Sequence, residues 1–252
     1  MNKTVLITGG TGKLGKVLVR HFVGRGWRVV TTSREQSRLE NLVASVGASE
    51  NQVMGIAVDL RESSASNLLI EELAARKLAI THLVNNARSI ETLVVEPGGQ
   101  TGRDNFVNEF EMDVVVPYEL SMCLARSRNH ILKSVVNIGS MYGEVAPNPA
   151  LYEGTLERSP IQYGVSKSAL HHLTRELAIR FSQKQIRVNC VAFGGVEGRV
   201  DEAFRERYAQ LVPSRRMLRE SEISGPVEFL LSDASKAVNG HVLLADGGWT
   251  LW

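Results

Sequence analysis

The sequence predicts an α/β protein with a doubly wound, seven-stranded parallel sheet and helices on both of its faces. Two observations support this class. Seven short apolar runs alternate with segments of helical periodicity, and the first run leads straight into a glycine-rich turn. The 252 residues, 43% of them hydrophobic, are enough for one large core. We therefore expect residues 1–252 to form a single domain.

The glycine-rich turn, residues 9–15, separates the predicted first strand at 3–8 from the first helix. Behind the turn, apolar residues recur at helical spacing from Leu14 to Phe22. Glycines let the backbone turn tightly and approach a pyrophosphate, whose charge is favoured at the positive end of the following helix. The pattern also fits a tight turn with no ligand, so it indicates dinucleotide binding only together with the rest of the chain.

The other predicted elements continue the alternation along the chain. Further strands are expected at 27–32, 52–58, 80–84, 134–138, 186–192 and 241–245. Helices are expected at 35–46, 63–77 and 103–127, and a further helix carries Tyr163. Strands that alternate with helices form a parallel sheet through right-handed crossovers.

Composition and cysteine use narrow the class of partner. The formal net charge of +2 provides no basic field for nucleic acid, and no apolar run is long enough for a membrane span or a signal peptide. Cys123 and Cys190 lie in apolar segments, which suits a reducing interior. His171 and His172 are adjacent and would point apart on a helix. We expect a cytoplasmic, metal-free protein that binds a small-molecule substrate.

Tyr163 and Lys167 stand four residues apart at the start of a helical pattern, so their side chains would share one helix face. A free phenol has a pKa of ~10 and is a poor acid or base at neutral pH, but a nearby cation favours the phenolate. The pair alone is common and usually lies on a solvated helix face. Its meaning therefore depends on the other motifs.

Several ordered motifs resemble those of the short-chain dehydrogenases/reductases of the non-extended type, over essentially the whole chain. They are the turn that begins with Thr8 and Gly9, Asp59 after the third strand, Asn85-Asn86-Ala87 after the fourth, Ser140 at the end of the fifth, Tyr163 with Lys167, and Asp246-Gly247-Gly248. The resemblance implies an NAD(P)-dependent oxidoreductase with a Rossmann-type fold. It also implies a homodimer or homotetramer.

The same resemblance implies a role for each matching residue. Tyr163 would exchange a proton with the substrate hydroxyl or carbonyl, Lys167 would favour the phenolate and hold the nicotinamide ribose, and Ser140 would bind the substrate oxygen. Hydride would pass between that carbon and the nicotinamide. The expected cofactor contacts, besides Tyr163 and Lys167, are Thr8, Gly9, Thr11, Gly12, Lys13, Leu14, Gly15, Ser33, Arg34, Asp59, Leu60, Asn86, Ala87, Gly194 and Val196.

Three residues depart from the family pattern. Lys13 replaces a glycine, which gives the spacing of the extended members that act on nucleotide sugars, although no separate substrate domain follows. Arg88 replaces the glycine after Asn86 and Ala87, where it would either bind an anionic substrate group or fold out to solvent. Asp113 stands in place of the helix asparagine. We hypothesise that it holds a proton-relay water, with added charge near Lys167.

The end of the second strand bears on the choice of cofactor. Members selective for NAD usually carry an acid there, whereas this chain reads Thr32-Ser33-Arg34. With no carboxylate in this segment, Arg34 and Lys13 could pair with a 2′-phosphate, so NADP is favoured over NAD. The alternative is that Arg34 stacks on adenine without discriminating.

The stretch between Ser140 and Tyr163 is longer than usual for the family and predicts a substrate loop at about 144–160. Tyr152, Glu153 and Arg158 would face a polar substrate, unless the stretch is only a surface insertion. Ser159 and Pro160 would begin the next helix as N-cap and first helical residue. A mobile lid is expected at about 197–217.

Two segments carry a narrower resemblance. The stretch at 152–155 and the C-terminal residues 246–252 resemble oxidoreductases from clusters that build flagellin- and surface-polysaccharide-modifying amino sugars. This implies a sugar phosphate or nucleotide sugar as substrate. Two other functions stay open. One is a cofactor-binding regulatory or scaffolding protein in which Lys13, Arg88 and Asp113 mark lost catalysis, and the other is an epimerase-like reaction.

Overall fold

One parallel sheet of seven strands organises the chain. The computed structural model describes residues 3–49, 51–128, 131–198 and 200–252. The strand order is β3-β2-β1-β4-β5-β6-β7, with every neighbouring pair parallel. This confirms the predicted doubly wound sheet. The strands are β1 Thr4–Ile7, β2 Arg28–Ser33, β3 Val53–Ala57, β4 His82–Asn85, β5 Ser134–Ser140, β6 Arg187–Phe193 and β7 Val242–Ala245.

Helices cover both faces of this sheet and divide the core into two layers. Leu69, Leu120 and Leu177 belong to the layer on one face, and Leu18 and Leu230 belong to the layer on the other. Successive strand residues point to opposite faces, so buried parallel strands are apolar throughout. The helices are α1 Lys13–Gly24, α2 Gln36–Val46, α3 Ala65–Ala75, α4 Arg103–Phe110, α5 Val116–Arg126, α6 Ile161–Arg180, α7 Glu202–Leu211 and α8 Ser224–Leu231.

The strand order creates a crevice at the carboxyl ends of the central strands. The strand β1 has β2 on one side and β4 on the other, so the chain reverses direction across the sheet at this point. The connections after β1 and β4 therefore diverge to opposite faces and leave an open groove at the carboxyl ends of the strands. Within the described residues, no helix has both the length and the apolar character needed to cross a membrane.

The predicted helix at 103–127 is interrupted by a π-helical segment, Glu111–Val115, which joins α4 to α5. Pro117 lies in the first turn of α5 and has no N–H to donate to the carbonyl four residues earlier. A wider turn accommodates this loss, and such turns often lie at functional sites. The segment carries Asp113, whose side chain is 1% exposed.

The start of α6 is shifted from the predicted one. We expected Ser159 as N-cap and Pro160 as the first helical residue, but the helix begins at Ile161 and Pro160 is the N-cap. The reason lies in the preceding turn, where the backbone N–H of Ser159 donates to the carbonyl of Leu156 at 2.9 Å. This bond keeps Ser159 in the loop. The first bond of the new helix is made by Tyr163, which donates to the Pro160 carbonyl at 3.2 Å.

His82 is buried at the start of β4. Its Nδ1 lies 2.8 Å from the Thr81 hydroxyl, and its ring centroid lies 4.8 Å from that of Trp27. Burial, together with the positive charges of Lys3 and Lys133, lowers the pKa of His82 to about 4. The His82 ring is therefore neutral in the folded state near neutral pH, whereas a histidine in the unfolded chain has a pKa of about 6.5.

A fall in pH should therefore lower the free energy of unfolding, because folded His82 does not take up the proton. As the pH falls from 7 to 5, the unfolded state gains a proton that folded His82 does not accept, which costs roughly 2 kcal/mol of the free energy of unfolding. His82→Gln should remove this part of the pH dependence, measured by urea unfolding at both pH values. His172→Gln, at a side chain that is 72% exposed, is the matched control. Equal pH dependence in all three proteins would contradict the assignment.

Candidate active site

A cleft of about 820 Å³ opens at the carboxyl ends of the central strands. A volume of this order suits a cofactor-sized ligand. The cleft is lined by the glycine turn, the ends of β2, β4, β5 and β6, and the first turns of α6. Of the residues expected to contact the cofactor, all but one line it, namely Gly9, Thr11, Gly12, Lys13, Leu14, Gly15, Ser33, Arg34, Asp59, Leu60, Asn86, Ala87, Tyr163, Lys167, Gly194 and Val196.

The glycine turn fits a pyrophosphate because its backbone leaves no room for side chains. A Cβ on Gly15 would lie 2.3 Å from the Gly9 carbonyl oxygen and 2.7 Å from the Cα of Gly10. Gly9 itself has a φ of 66°, a conformation that favours glycine. The helix α1 begins directly after the N-cap Gly12, which offers no side-chain cap to its first N–H groups. These donors and the helix dipole favour an anion at this position.

Thr8 is the expected cofactor residue that does not line the cleft. Its hydroxyl is buried beneath the turn and accepts the backbone N–H groups of Asn86 and Ala87, each at 2.9 Å. The Asn86 amide in turn donates to the Thr8 carbonyl at 2.8 Å. Thr8 therefore ties the end of β1 to the loop after β4, and acts on the cleft by holding this loop in place.

Lys13 reaches across the cleft toward β6. Its ammonium donates to the Val196 carbonyl at 3.2 Å and lies 4.0 Å from a Glu220 carboxylate oxygen. The long side chain extends from the first turn of α1 to the far side of the groove. This position does not support the expectation that Lys13 pairs with the same 2′-phosphate as Arg34, because β2 and β6 lie on opposite sides of β1.

Arg34 has a carboxylate partner that the sequence segment at the end of β2 does not contain. Its guanidinium forms two hydrogen bonds to Glu91, at 2.8 and 3.3 Å, and this raises the pKa of Arg34. Glu91 belongs to the loop after β4, which meets the end of β2 at the same edge of the sheet. Nearby, Asp59 is bound by Arg61, whose hydrogen bonds lower the pKa of Asp59.

Tyr163 and Lys167 lie one turn apart on α6, with the Lys167 ammonium 5.8 Å from the centre of the Tyr163 ring. This ammonium is buried and donates to Asp113 at 2.8 Å and to the Ile138 carbonyl at 3.0 Å. The second carboxylate oxygen of Asp113 accepts from the Ser166 hydroxyl at 2.8 Å. Burial is the largest effect and works to lower the pKa of Lys167, but the charges of Asp113 and Tyr163 and the hydrogen bond to Asp113 together outweigh it, and the pKa is raised.

Arg88 faces the cleft rather than the solvent. Its guanidinium carbon lies 4.7 Å from the centre of the Tyr163 ring, within the range of a cation–π contact. The Nε atom of Arg88 is buried and has no hydrogen-bond partner. Ser140 lines the same part of the cleft at the end of β5, where its Oγ accepts the N–H of Tyr142 at 3.2 Å.

Glu109 is a buried acid that sequence reasoning missed. It is fully buried on α4, accepts a hydrogen bond from the Thr92 hydroxyl, and leaves its Oε1 without a partner. Burial, and then the charge of Asp113, raise the pKa of Glu109. A sequence signal did exist, because the two acids stand four residues apart in one predicted helix. That spacing alone usually describes a solvated face.

Tyr152, Glu153 and Arg158 lie outside the cleft, contrary to the prediction that they face it. They line a second cavity of about 220 Å³, together with residues of the segment around α7. A short 3₁₀ turn, Pro149–Tyr152, directs the loop toward α7, and Glu153 follows it with a φ of 60°. The hydroxyl of Tyr152 still lies 3.0 Å from that of Tyr142, which lines the cleft.

The loop and the segment expected to be a lid are joined at this second cavity. Glu153 lies 3.0 Å from Arg158 of its own loop and 3.5 Å from Arg207 of α7. Arg207 also donates to the Leu151 carbonyl at 3.0 Å. Within the described parts of the chain, no group of three or more His, Cys, Asp or Glu side chains is placed to hold a metal ion.

Comparison with known proteins agrees with this geometry. A family model described as enoyl-(acyl carrier protein) reductase matches residues 12–250. Flagellin modification protein A of Campylobacter coli is 25% identical over 99% of both chains. Galactitol 2-dehydrogenase of Cereibacter sphaeroides is 28% identical over 98% of this chain and 94% of its own.

A solved structure shows the same fold with a cofactor in place. The short-chain dehydrogenase of Leptospira borgpetersenii with bound NAD⁺ superposes with a TM-score of 0.86 at 27% identity, covering 99% of this chain and 93% of its own. In the present chain the glycine turn and the Ser140, Tyr163 and Lys167 side chains line one cleft at the carboxyl ends of the strands. The chain belongs to the short-chain dehydrogenases/reductases and is an NAD(P)-dependent oxidoreductase that acts on an alcohol or ketone group.

Proposed function

We propose that the substrate is a sugar-like alcohol or ketone that carries an anionic group, such as a sugar phosphate or a nucleotide sugar. The observation that carries this proposal is the position of Arg88, whose guanidinium lies over the Tyr163 ring. A guanidinium binds phosphate or carboxylate through its edge, and stacking on a ring leaves this edge available.

The other arginines of the cleft are less suited to this role because each already has a carboxylate. Arg34, Arg38 and Arg61 pair with Glu91, Glu35 and Asp59, at 2.8, 2.9 and 2.7 Å respectively. Within the described residues, Arg88 has no carboxylate oxygen inside 4.0 Å. A substrate anion beside the reacting carbon would supply that partner.

The chain's own residues would carry the proton chemistry. When bound, the nicotinamide cofactor supplies the hydride acceptor or donor. Tyr163 takes the proton of the substrate hydroxyl, or returns it to the carbonyl in the reverse direction. Ser140 donates a hydrogen bond to the same substrate oxygen and stabilises its developing charge. Lys167 is held by Asp113, which also stays the candidate acceptor at the inner end of a proton relay.

The relatives support a polyhydroxylated substrate. One is a galactitol 2-dehydrogenase and another is a flagellin modification protein. The loop at 144–160 and the helix α7 would close over such a substrate together, because Glu153 and Arg207 join them. Tyr142 would transmit this closure to the cleft, since its hydroxyl contacts that of Tyr152.

We also propose a homodimer or homotetramer in the cytoplasm. Apolar side chains on the outer faces of α4, the π-helical segment, α5 and α6 are unusually exposed for a monomer. They include Val107, Val115, Tyr118 and Val165, which are between 39% and 52% exposed. Trp249 is instead buried in the chain's own core, stacked on Tyr208. The two cysteines are free thiols, which suits a reducing compartment.

Tyr163→Phe should reduce turnover by about 10³-fold, because the variant keeps the ring and loses the proton-carrying hydroxyl. Sugar phosphates, nucleotide sugars and their uncharged parent sugars should be screened by the change in nicotinamide absorbance. Charged compounds should be turned over with a higher kcat/KM than the uncharged parents. Turnover of uncharged polyols alone would contradict the proposed substrate class.

Cofactor binding is the control for this variant. Titration of NADP(H) against the wild type and Tyr163→Phe should give similar dissociation constants, because most residues expected to contact the cofactor lie elsewhere in the cleft. If the variant retained wild-type turnover of every active compound, Tyr163 would not be the proton carrier.

Glu91 should limit the preference for NADP that Arg34 provides. The Arg34–Glu91 pair is exposed on both sides and is therefore worth little free energy, so a 2′-phosphate can displace the carboxylate. We expect kcat/KM to favour NADP(H) in the wild type. Glu91→Gln should raise the ratio of NADP(H) to NAD(H) efficiency by about two- to fivefold, and Arg34→Gln should lower it. A wild type that prefers NAD(H), or a ratio unchanged by either variant, would contradict this account.

A further inference from the structure

Two charged side chains stand next to the catalytic pair at positions where the family pattern has neutral residues. In the family pattern that the sequence resembles, a glycine stands at the position of Arg88 and an asparagine at the position of Asp113. They lie in different elements, the loop after β4 and the π-helical segment. Both nevertheless reach the Tyr163–Lys167 pair, one by stacking on the phenol and the other by an ion pair with the ammonium.

Asp113 cancels much of the field that Lys167 would exert on the phenol. The two groups are 2.8 Å apart, and their side chains are 1% and 6% exposed, so water does little to screen their attraction. The carboxylate stands closer to the ammonium than the Tyr163 ring does, since the ammonium is 5.8 Å from the ring centre. The Lys167–Asp113 pair therefore acts on the Tyr163 phenol more like a dipole than like a free cation.

Arg88 brings a positive charge back to the same ring. Its guanidinium carbon, at 4.7 Å from the ring centre, is closer than the Lys167 ammonium. It has no carboxylate of its own inside 4.0 Å among the described residues. Glu109 is close enough for the charge of Arg88 to work against the rise of its pKa, but burial raises this pKa overall, so Glu109 balances Arg88 less than an exposed carboxylate would.

We propose that Arg88 has taken over from Lys167 as the cation that stabilises the phenolate of Tyr163, and that this compensates for the neutralisation of Lys167 by Asp113. The inference rests on the proposed oxidoreductase function but not on any particular substrate. Arg88 is in this sense a positioning residue that acts through Tyr163. It can serve the phenol with its face and a substrate anion with its edge.

The other ionisable groups around Tyr163 do not supply this charge. Glu109, on α4, is a buried acid with a raised pKa, first because of its burial. Tyr142, after β5, is a phenol whose pKa is raised, also mainly by burial. A carboxyl group and a phenol carry no positive charge in either protonation state. The balance at Tyr163 is therefore set by Arg88 against the Lys167–Asp113 pair.

The test is the pH dependence of kcat/KM for alcohol oxidation, in which Tyr163 must accept a proton. Arg88→Gly removes the cation and should move the rising limb about one pH unit upward. Asp113→Asn frees the charge of Lys167 and should move the limb downward. The double variant should lie near the wild type, because the two changes oppose each other. Arg88→Lys keeps the charge and should also stay near the wild type.

A second measurement needs neither substrate nor turnover. Nuclear magnetic resonance of protein labelled with ¹³C at the tyrosine Cζ follows the titration of each phenol, and Tyr163→Phe identifies the signal of Tyr163. The midpoint of this signal should move upward in Arg88→Gly and downward in Asp113→Asn. Thermal melts of each variant would show that the protein is folded at the pH values used.

The outcomes separate this inference from the proposed substrate class. Suppose that Arg88→Gly weakens only the binding of charged substrates and leaves both the rising limb of the pH profile and the midpoint of the Tyr163 titration in place. The proposed role of Arg88 toward Tyr163 is then refuted, and its role as an anion site stands. If the rising limb and the Tyr163 midpoint move but charged and uncharged substrates are affected equally, the proposed role of Arg88 toward Tyr163 stands and the anion site is refuted. A shift in Arg88→Lys as large as in Arg88→Gly would show that the side chain has only a structural role.

Discussion

The buried ion pair between Lys167 and Asp113 is the interaction on which the site depends. An ammonium this deeply buried needs a counterion, and the removal of one partner from such a pair typically costs ~3–5 kcal/mol. The pair also fixes the ammonium against the Ile138 carbonyl, and so ties α6 to the end of β5. Its position defines where Tyr163 lies, because Tyr163 is one turn earlier on the same rigid helix. The position of Tyr163 and the stability of the central layers thus depend on the same contact.

The sheet and most of the cleft could be predicted from local patterns. Buried strands have a simple apolar signature, and glycine turns and strand ends carry their chemistry in consecutive residues. The long-range partners could not be predicted in this way. Glu91 meets Arg34, and Glu109 approaches Asp113 and Arg88, only because separate loops and helices converge at one edge of the sheet. A sequence shows which charges exist, and the fold decides which of them meet.

The loop between Ser140 and Tyr163 illustrates the same limit. Both of its ends lie at the cleft, which made a substrate-facing loop the natural expectation. The chain instead turns away after a short 3₁₀ segment and packs against α7, where Glu153 is shared by two arginines. The partners of Glu153 lie in its own loop and on α7, outside the cleft. The contact between the Tyr142 and Tyr152 hydroxyls connects the loop with the site.

The π-helical segment explains how Asp113 comes to reach Lys167. A regular helix from 103 to 126 would require an N–H at Pro117 that does not exist, and the wider turn that replaces it shifts the face presented by the preceding residues. Asp113 thereby projects into the layer between α6 and the sheet, where it also accepts the Ser166 hydroxyl. The wider turn before Pro117 thus places a carboxylate against Lys167. Once that carboxylate was present, a second cation near Tyr163 became physically useful, and Arg88 is the residue in position to provide it.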